Sequence, residues 1–184
     1  AVAMDDEQRG LHQFDEYLRK HIVHTLGNLG FSFFHGLTAN WFVPKASAGP
    51  VAHYHQTLTK LSASFAFCAD YAMLRLGGAL KRKEATSARL GDILSQLYLA
   101  SSVLKRYEDD GRQVSDLPFV NYAIDHCLYE IGQAFDAFFA NISFGSVIRF
   151  AVFPWGNPYH KPSDETLNQV VNSLSNNAVM RERL

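Results

Sequence analysis

The fold is decided by residues 51–76, which read VAHYHQTLTKLSASFAFCADYAMLRL. The apolar side chains of this stretch recur at alternating steps of three and four residues, which places them on one face of a helix. They are Val51, Tyr54, Leu58, Leu61, Phe65, Cys68, Ala72 and Leu76. A seam with this spacing is typical of helices packed in a bundle. Pro50 suits the first turn of this helix, and Gly77 and Gly78 end it.

The same periodicity predicts further helices on both sides of this stretch. A long helix over residues 11 to about 41 precedes it. A third helix ends at residues 108–111, a fourth is capped by Ser115 or Asp116, a fifth covers about residues 144–153, and a sixth begins at Ser163-Asp164. No segment shows the period-two alternation of a strand, so the predicted class is all-α, a bundle of about five to six helices.

Two loops interrupt this pattern. Three prolines between residues 154 and 162 exclude a helix there and predict an ordered Pro/Gly-rich loop near the C-terminus. Residues 44–50 are rich in proline, glycine and small side chains, and they are the best candidate for a linker.

Composition excludes several classes of protein. The chain has 17 basic and 18 acidic side chains, with 14 phenylalanines, 8 tyrosines and 2 tryptophans, so it should fold around an apolar core. The balanced charge lacks the basic excess of a nucleic-acid-binding protein, and we predict no nucleic-acid partner. Cys68 and Cys127 lie in apolar stretches, which favours buried reduced thiols in a cytoplasmic protein, with a disulfide as the alternative.

No targeting or membrane-spanning segment is predicted. The first four residues are followed directly by Asp5, Asp6 and Glu7, which is not the order of a signal peptide. Residues 143–154 are the most apolar stretch, but Arg149 interrupts them and they fall short of the roughly 20 residues that a membrane span needs.

The histidines and glycines do not form a recognisable metal or nucleotide motif. His21 and His24 are three residues apart and His53 and His55 two apart, without the glutamates that complete helical metal motifs, so we predict no metal site. The spacing of Gly27 and Gly30 lacks the preceding strand and third glycine of a dinucleotide fold.

Charged residues within apolar helices form a second set of candidates. Asp70, Arg89 and Asp92 are candidates for a structural ion pair that holds helices in register, because an isolated charge among apolar neighbours would be costly. A role as catalytic acid or base is the alternative.

Two basic clusters are candidate contacts for an anionic partner. They consist of Lys81, Arg82 and Lys83 and of Lys105 and Arg106. Phosphate, nucleotide or anionic lipid are the partners that such clusters bind, and the alternative interpretation, which we favour, is a solvated helix end.

Several segments together resemble one known family. They are residues 61–67 (LSASFAF), 76–83 (LGGALKRK), 87–101 (SARLGDILSQLYLAS), 104–107 (LKRY) and 153–164 (FPWGNPYHKPSD), with Phe14, Asp15, His21, His24 and residues 36–38. In these segments the chain resembles the C-terminal region of the large bacterial acyl-coenzyme A (acyl-CoA) dehydrogenases of fatty-acid β-oxidation. The resemblance covers about residues 5–183.

The resemblance implies a parent enzyme whose chemistry lies elsewhere. Such enzymes oxidise an acyl-CoA to a trans-2-enoyl-CoA, with FAD as the hydride acceptor, a glutamate as the base and a further electron acceptor. That glutamate is expected upstream of Ala1, so no catalytic or cofactor-binding residue is assigned here, and this chain alone is expected to be inactive and to bind no FAD. Residues 1–45 would complete the upstream catalytic helical bundle, and residues 46–184 would form an accessory helical domain.

Two roles follow for the accessory domain. The first is a structural module that docks on the catalytic domain of the same chain or stabilises a homodimer; it is suggested by the aromatic residues Phe31, Phe33, Phe34, Trp41 and Phe42. The alternative is a peripheral membrane- or partner-binding helical module without a catalytic role, suggested by residues 81–83 and by the apolar residues 144–155.

Overall fold

The computed structural model describes residues 13, 15–17, 19–24, 27, 30 and 49–176. The described residues between 13 and 30 are helical. Five helices follow: α1 (Ala52–Leu76), α2 (Glu84–Asp109), α3 (Leu117–Ala140), α4 (Gly145–Val152) and α5 (Asp164–Asn176). Short 3-10 turns at Gly77–Arg82 and Val114–Asp116 precede α2 and α3. No strand occurs in these ranges, and the predicted all-α class is confirmed.

The helices pack around a core centred on α2 and α3, which contact each other most extensively. Helix α1 packs against α2, while α4 and α5 pack against α3. Side chains buried completely at the centre include Leu61, Ile93, Ile124, Ile131 and Phe135. Burying an aliphatic or aromatic side chain of this size stabilises the fold by about 1.5–3 kcal/mol. The periodic apolar seam of residues 51–76 is therefore the inner face of α1.

Glycine and capping residues account for several of the helix ends. Gly77 has φ of +47°, a left-handed conformation that L side chains rarely adopt, and it ends α1 as predicted. Ser163 caps α5, because its Oγ accepts a hydrogen bond from the backbone N–H of Thr166 at 3.3 Å. Asp116 occupies the predicted capping position of α3, but its side chain makes no capping hydrogen bond.

The outer face of α2 carries small residues, at a spacing in the sequence that predicts the close approach of another helix. These residues, Ala88, Gly91, Ser95 and Ser102, are all exposed. No atom lies within 4 Å of the position that a Cβ on Gly91 would take. The inner stripe of α2 faces α1 and α3 instead, so no described helix covers the small residues.

Other predictions concern the thiols and the chain ends. Cys68 and Cys127 are free, as predicted.

The boundary at residue 45, most of the long helix over residues 11–41 and its aromatic residues lie outside the described residues. Within the described ranges, no helix is both long and apolar enough to cross a membrane.

Candidate functional site

An apolar surface surrounds the short helix α4. The inner side of α4 is buried through Gly145, Ile148 and Val152. Large apolar residues are exposed on the outer side of α4 and next to its two ends, and we call these the α4 surface: Phe144, Val147, Phe150 and Trp155. Phe144 is 73% exposed and Trp155 80% exposed. Exposed apolar groups gathered at one place mark an interaction site more often than single exposed side chains do.

A tight turn places this surface at the end of α3. A Cβ on Gly145 would overlap the carbonyl oxygen of Phe139, so only glycine fits there. Phe144, just before it, has φ of +55°, an uncommon conformation for a residue with a side chain. The turn therefore fixes where the ring of Phe144 leaves the backbone, and the ring is directed into solvent.

A polar network holds α4 and the following loop on α3. Oδ1 of Asp136 accepts a hydrogen bond from Nε of Arg149 at 3.3 Å, and Oδ2 accepts one from Nδ2 of Asn157 at 2.8 Å. The side-chain oxygen of Asn157 also accepts the backbone N–H of Tyr159 at 3.0 Å. The side chain of Asn157 packs against Gly132. A Cβ on Gly132 would lie 2.7 Å from the side-chain amide of Asn157. The sequence analysis missed this network, although an Asn-Pro pair within a proline-rich loop signals a turn.

Aromatic rings pack beneath the same loop. The ring of Phe153 makes edge-to-face contacts with Phe135, Phe139 and Tyr159, at centroid distances of 5.7, 6.2 and 6.0 Å. Nζ of Lys60, from α1, lies 5.6 Å from the centre of the Phe153 ring. Lys60 is only 6% exposed, and burial lowers the pKa of its ammonium group. The α4 surface is thus backed by well-packed side chains.

The candidate ion-pair residues are spread over two helices. Asp70 lies in α1, and its Oδ1 is 3.7 Å from Nε2 of His21. Arg89 is half-buried and Asp92 is exposed on α2. The ion pairs found among the described residues do not join Arg89 to Asp92. The structural role of these three residues stays a prediction.

The two basic clusters have different surroundings. Lys105 forms an ion pair with Asp109, and Nε of Arg106 lies 3.1 Å from Oδ2 of Asp110. Lys81, Arg82 and Lys83 are exposed at the turn between α1 and α2. Local acids therefore compensate the cluster near the end of α2, whereas the cluster at its beginning has no such partners within the described part.

A histidine and a glutamate approach each other between α1 and α2. Nε2 of His55 is 3.3 Å from Oε1 of Glu108, but it has no hydrogen-bond partner of suitable geometry. The same Glu108 oxygen accepts a hydrogen bond from Arg112 at 3.3 Å. No group of three or more metal-ligating side chains occurs among the residues that the structure describes.

A groove of about 460 Å³ lies between α2 and α3. Its floor is apolar and includes Val103, Phe119 and Val120, while Arg106, Asp110 and Asp116 lie at its rim. A flavin dinucleotide carries a diphosphate, which requires cations or N–H donors. Here the one guanidinium is paired with Asp110 beside a second acid, so the groove does not fit FAD.

One family model matches the chain over its whole length. The family model described as "Acyl-CoA dehydrogenase, C-terminal, bacterial type" matches residues 1–184. No solved structure matches the chain.

Proposed function

The chain belongs to the bacterial-type family of acyl-CoA dehydrogenase C-terminal regions, and on that premise we propose that it is the structural and docking module of an FAD-dependent acyl-CoA dehydrogenase. Under this proposal the parent oxidises an acyl-CoA to a trans-2-enoyl-CoA in fatty-acid β-oxidation. FAD, bound outside the residues described here, carries the electrons to a further acceptor.

The observation that carries this proposal is the α4 surface. Large apolar side chains are exposed there, and aromatic residues are among the types that dominate the energy of protein interfaces. The family description names a C-terminal region, so the partner of this surface under the proposal is the dehydrogenase part of the same protein.

The way in which the surface is held also favours docking. Asp136 links α3 to Arg149 in α4 and to Asn157 in the loop beyond it. A surface that is already ordered loses less conformational entropy on association, so more of the burial energy appears as affinity. The polar network around Asp136 is therefore a reason to place the docking surface here.

A reconstitution experiment tests the proposal. The 184-residue chain and the FAD-loaded dehydrogenase part are prepared separately, and acyl-CoA-dependent reduction of a dye is measured for each alone and for the mixture. We expect no turnover by the chain alone. We also expect the chain to slow the thermal inactivation of the dehydrogenase part.

Matched variants distinguish docking through the α4 surface from non-specific hydrophobic association. Phe144→Ser with Val147→Ser should abolish the protection, because these substitutions remove exposed apolar groups from the α4 surface. Tyr98→Ser with Leu99→Ser removes comparable exposed groups from α2 and should leave the protection unchanged. Protection that survives the first pair, or a chain that turns over acyl-CoA by itself, would disprove the proposed role.

A further inference from the structure

The proposed docking role does not use the apolar groove between α2 and α3. We call it the α2–α3 groove, and its volume is about 460 Å³. Its apolar walls are formed by Leu99 and Val103 from α2 and by Phe119, Val120 and Ala123 from α3. Sites that bind small molecules have volumes of about 300–1,000 Å³ and mainly apolar linings with a few polar groups. The groove matches this description in both respects.

The α2–α3 groove is formed in advance next to the turn that joins the two helices. Gly111 and Arg112 in this turn have φ of +83° and +57°. The backbone N–H of Arg112 donates a hydrogen bond to the carbonyl of Tyr107 at 2.9 Å, and the phenol of Tyr107 donates one to the carbonyl of Arg112 at 3.2 Å. Tyr107 also lines the groove. A site that is already ordered loses less conformational entropy when a ligand binds.

The charges at the rim limit the head group of a ligand. Arg106 supplies a guanidinium, and in the described part of the chain only its Nε donates a hydrogen bond, to Asp110 at 3.1 Å. A guanidinium has five N–H donors, so the Nη groups can still receive a carboxylate. Asp110 and Asp116 lie at the same rim and oppose a head group with several negative charges. The rim therefore fits a single negative charge.

The apolar walls define the other part of the ligand. A methylene group occupies roughly the volume of a water molecule in the liquid, about 30 Å³, so the groove has room for about 15 methylene groups. Aliphatic side chains such as Leu99 and Val103 offer contacts along a flexible chain. An unbranched chain that ends in one carboxylate matches both the walls and the rim.

We propose that the α2–α3 groove binds a long-chain fatty acid, with the chain along the apolar walls and the carboxylate at Arg106. The residues of the α4 surface do not line this groove. The proposal therefore does not depend on the docking role, and either can fail without the other.

Calorimetric titration of the 184-residue chain with saturated fatty acids tests this proposal. The probes are octanoate, dodecanoate and hexadecanoate, each below its micelle concentration. We expect one site per chain. The affinity should rise by about fourfold for every two methylene groups, because an open groove removes only part of each group from water. Affinity that does not depend on chain length, or binding of many molecules per chain, would overturn the proposal.

Two matched pairs of variants locate the chain of the ligand. Leu99 and Leu94 are both about half exposed on α2, but Leu94 does not line the groove, so Leu94→Gln is the control for Leu99→Gln. Ser102→Phe fills the groove, and Ser95→Phe, at an exposed position two turns earlier on α2, is its control. The groove variants should weaken dodecanoate binding by about fivefold or more, and the controls by less than about twofold. Equal effects within the pairs would overturn the assignment.

A third pair of variants tests the head group. Lys105 does not line the groove, so Lys105→Gln is the control for Arg106→Gln. Arg106→Gln should weaken dodecanoate binding by about three- to tenfold and leave the affinity for dodecanol unchanged. Dodecanoyl-CoA should bind more weakly than dodecanoate, because its phosphates would approach Asp110 and Asp116. An equal loss for the acid and the alcohol, or tighter binding of the thioester, would contradict the recognition of a carboxylate.

Two further measurements separate binding from other effects. The melting temperatures of the variants should stay within about 2 °C of the wild type, because Leu99, Ser102 and Arg106 are exposed. Loss of binding with a lower melting temperature in every groove variant would show that these residues serve the fold instead. Sedimentation equilibrium without ligand should show no self-association that Ser102→Phe abolishes. Such an effect would show that a second copy of the chain occupies the groove and would overturn the proposal.

Discussion

The phenol of Tyr54 donates a hydrogen bond to Oδ1 of Asp125 across 2.9 Å, and this bond joins α1 to α3 between residues 71 positions apart. Tyr54 is almost completely buried. Asp125 also lines a small cavity with residues 158–163 of the loop that follows α4. One hydrogen bond thus links α1 to α3, the helix against which α4 packs.

Tyr54→Phe should lower the free energy of unfolding by about 1–2 kcal/mol, because the substitution removes a hydrogen bond to a charged group in a buried place. Urea denaturation followed by circular dichroism measures the change. Tyr98→Phe, in an exposed position on α2, is the control and should change the free energy by less than about 0.5 kcal/mol. Equal effects of the two substitutions would show that the Tyr54 contact is not stabilising.

The same bond predicts a dependence on alkaline pH. Burial is the main cause, and the nearby Asp125 a smaller one, that raises the pKa of Tyr54 above its ordinary value of 10.0. Above about pH 10 the unfolded chain loses this proton while the folded chain keeps it, so the stabilising contribution of Tyr54 falls as the pH rises. The stability advantage of the wild type over Tyr54→Phe should therefore shrink between about pH 9 and pH 11. An advantage that grows over this range would contradict the prediction.

Gly132→Ala should destabilise the protein by about 1–3 kcal/mol, because the new methyl group would collide with Asn157 and displace it from Asp136. Gly91→Ala is a matched control in α2, where no atom lies within 4 Å of the added methyl group. That variant should gain up to about 1 kcal/mol from the better helix propensity of alanine. Thermal melting of both variants checks the opposite signs, and a stabilised Gly132→Ala would refute the role given to the Asn157 contact.

Lys60→Met should leave the stability at pH 7 unchanged or raise it by about 1 kcal/mol, because it removes a largely buried ammonium that contacts the Phe153 ring and forms no ion pair among the described residues. Burial lowers the pKa of Lys60 below 10.5. Between the lowered and the ordinary pKa the unfolded chain binds a proton that the folded chain does not, so the contribution of Lys60 to stability rises with pH.

Chemical denaturation at pH 7 and at about pH 10 tests this prediction. The wild type should gain stability relative to Lys60→Met at the higher pH. Lys161→Met, at an exposed position, should show no such change. A loss of more than about 1 kcal/mol in Lys60→Met at pH 7 would mean that the cation stabilises the core.

Periodicity predicted the helices well because each depends on neighbouring residues in the sequence. The seam of residues 51–76, the stop at Gly77 and the cap at Ser163 need no knowledge of the rest of the chain. Periodicity also indicated the inner side of α2, but it did not show how wide the buried face of this helix is. Leu90 and Ile93 are buried, whereas Leu94 is exposed, because the arrangement of α1 and α3 decides between them.

The contacts that position the α4 surface could not be predicted in the same way. Asp136 and Asn157 are 21 positions apart and meet only because the loop after α4 turns back over Gly132. The exposed basic residues were visible in the sequence, but their surroundings were not. In the structure Lys105 and Arg106 pair with the acids one helical turn away, whereas no ion pair of Lys81, Arg82 or Lys83 occurs among the described residues.

Calorimetric titration of the 184-residue chain into the FAD-loaded dehydrogenase part tests the docking role most directly. We predict saturable binding with a negative heat-capacity change, because apolar surface is buried. Binding should be lost with Phe144→Ser and Val147→Ser and kept with Tyr98→Ser and Leu99→Ser. A titration without binding, or equal loss in the two pairs of variants, would contradict the docking role of the α4 surface.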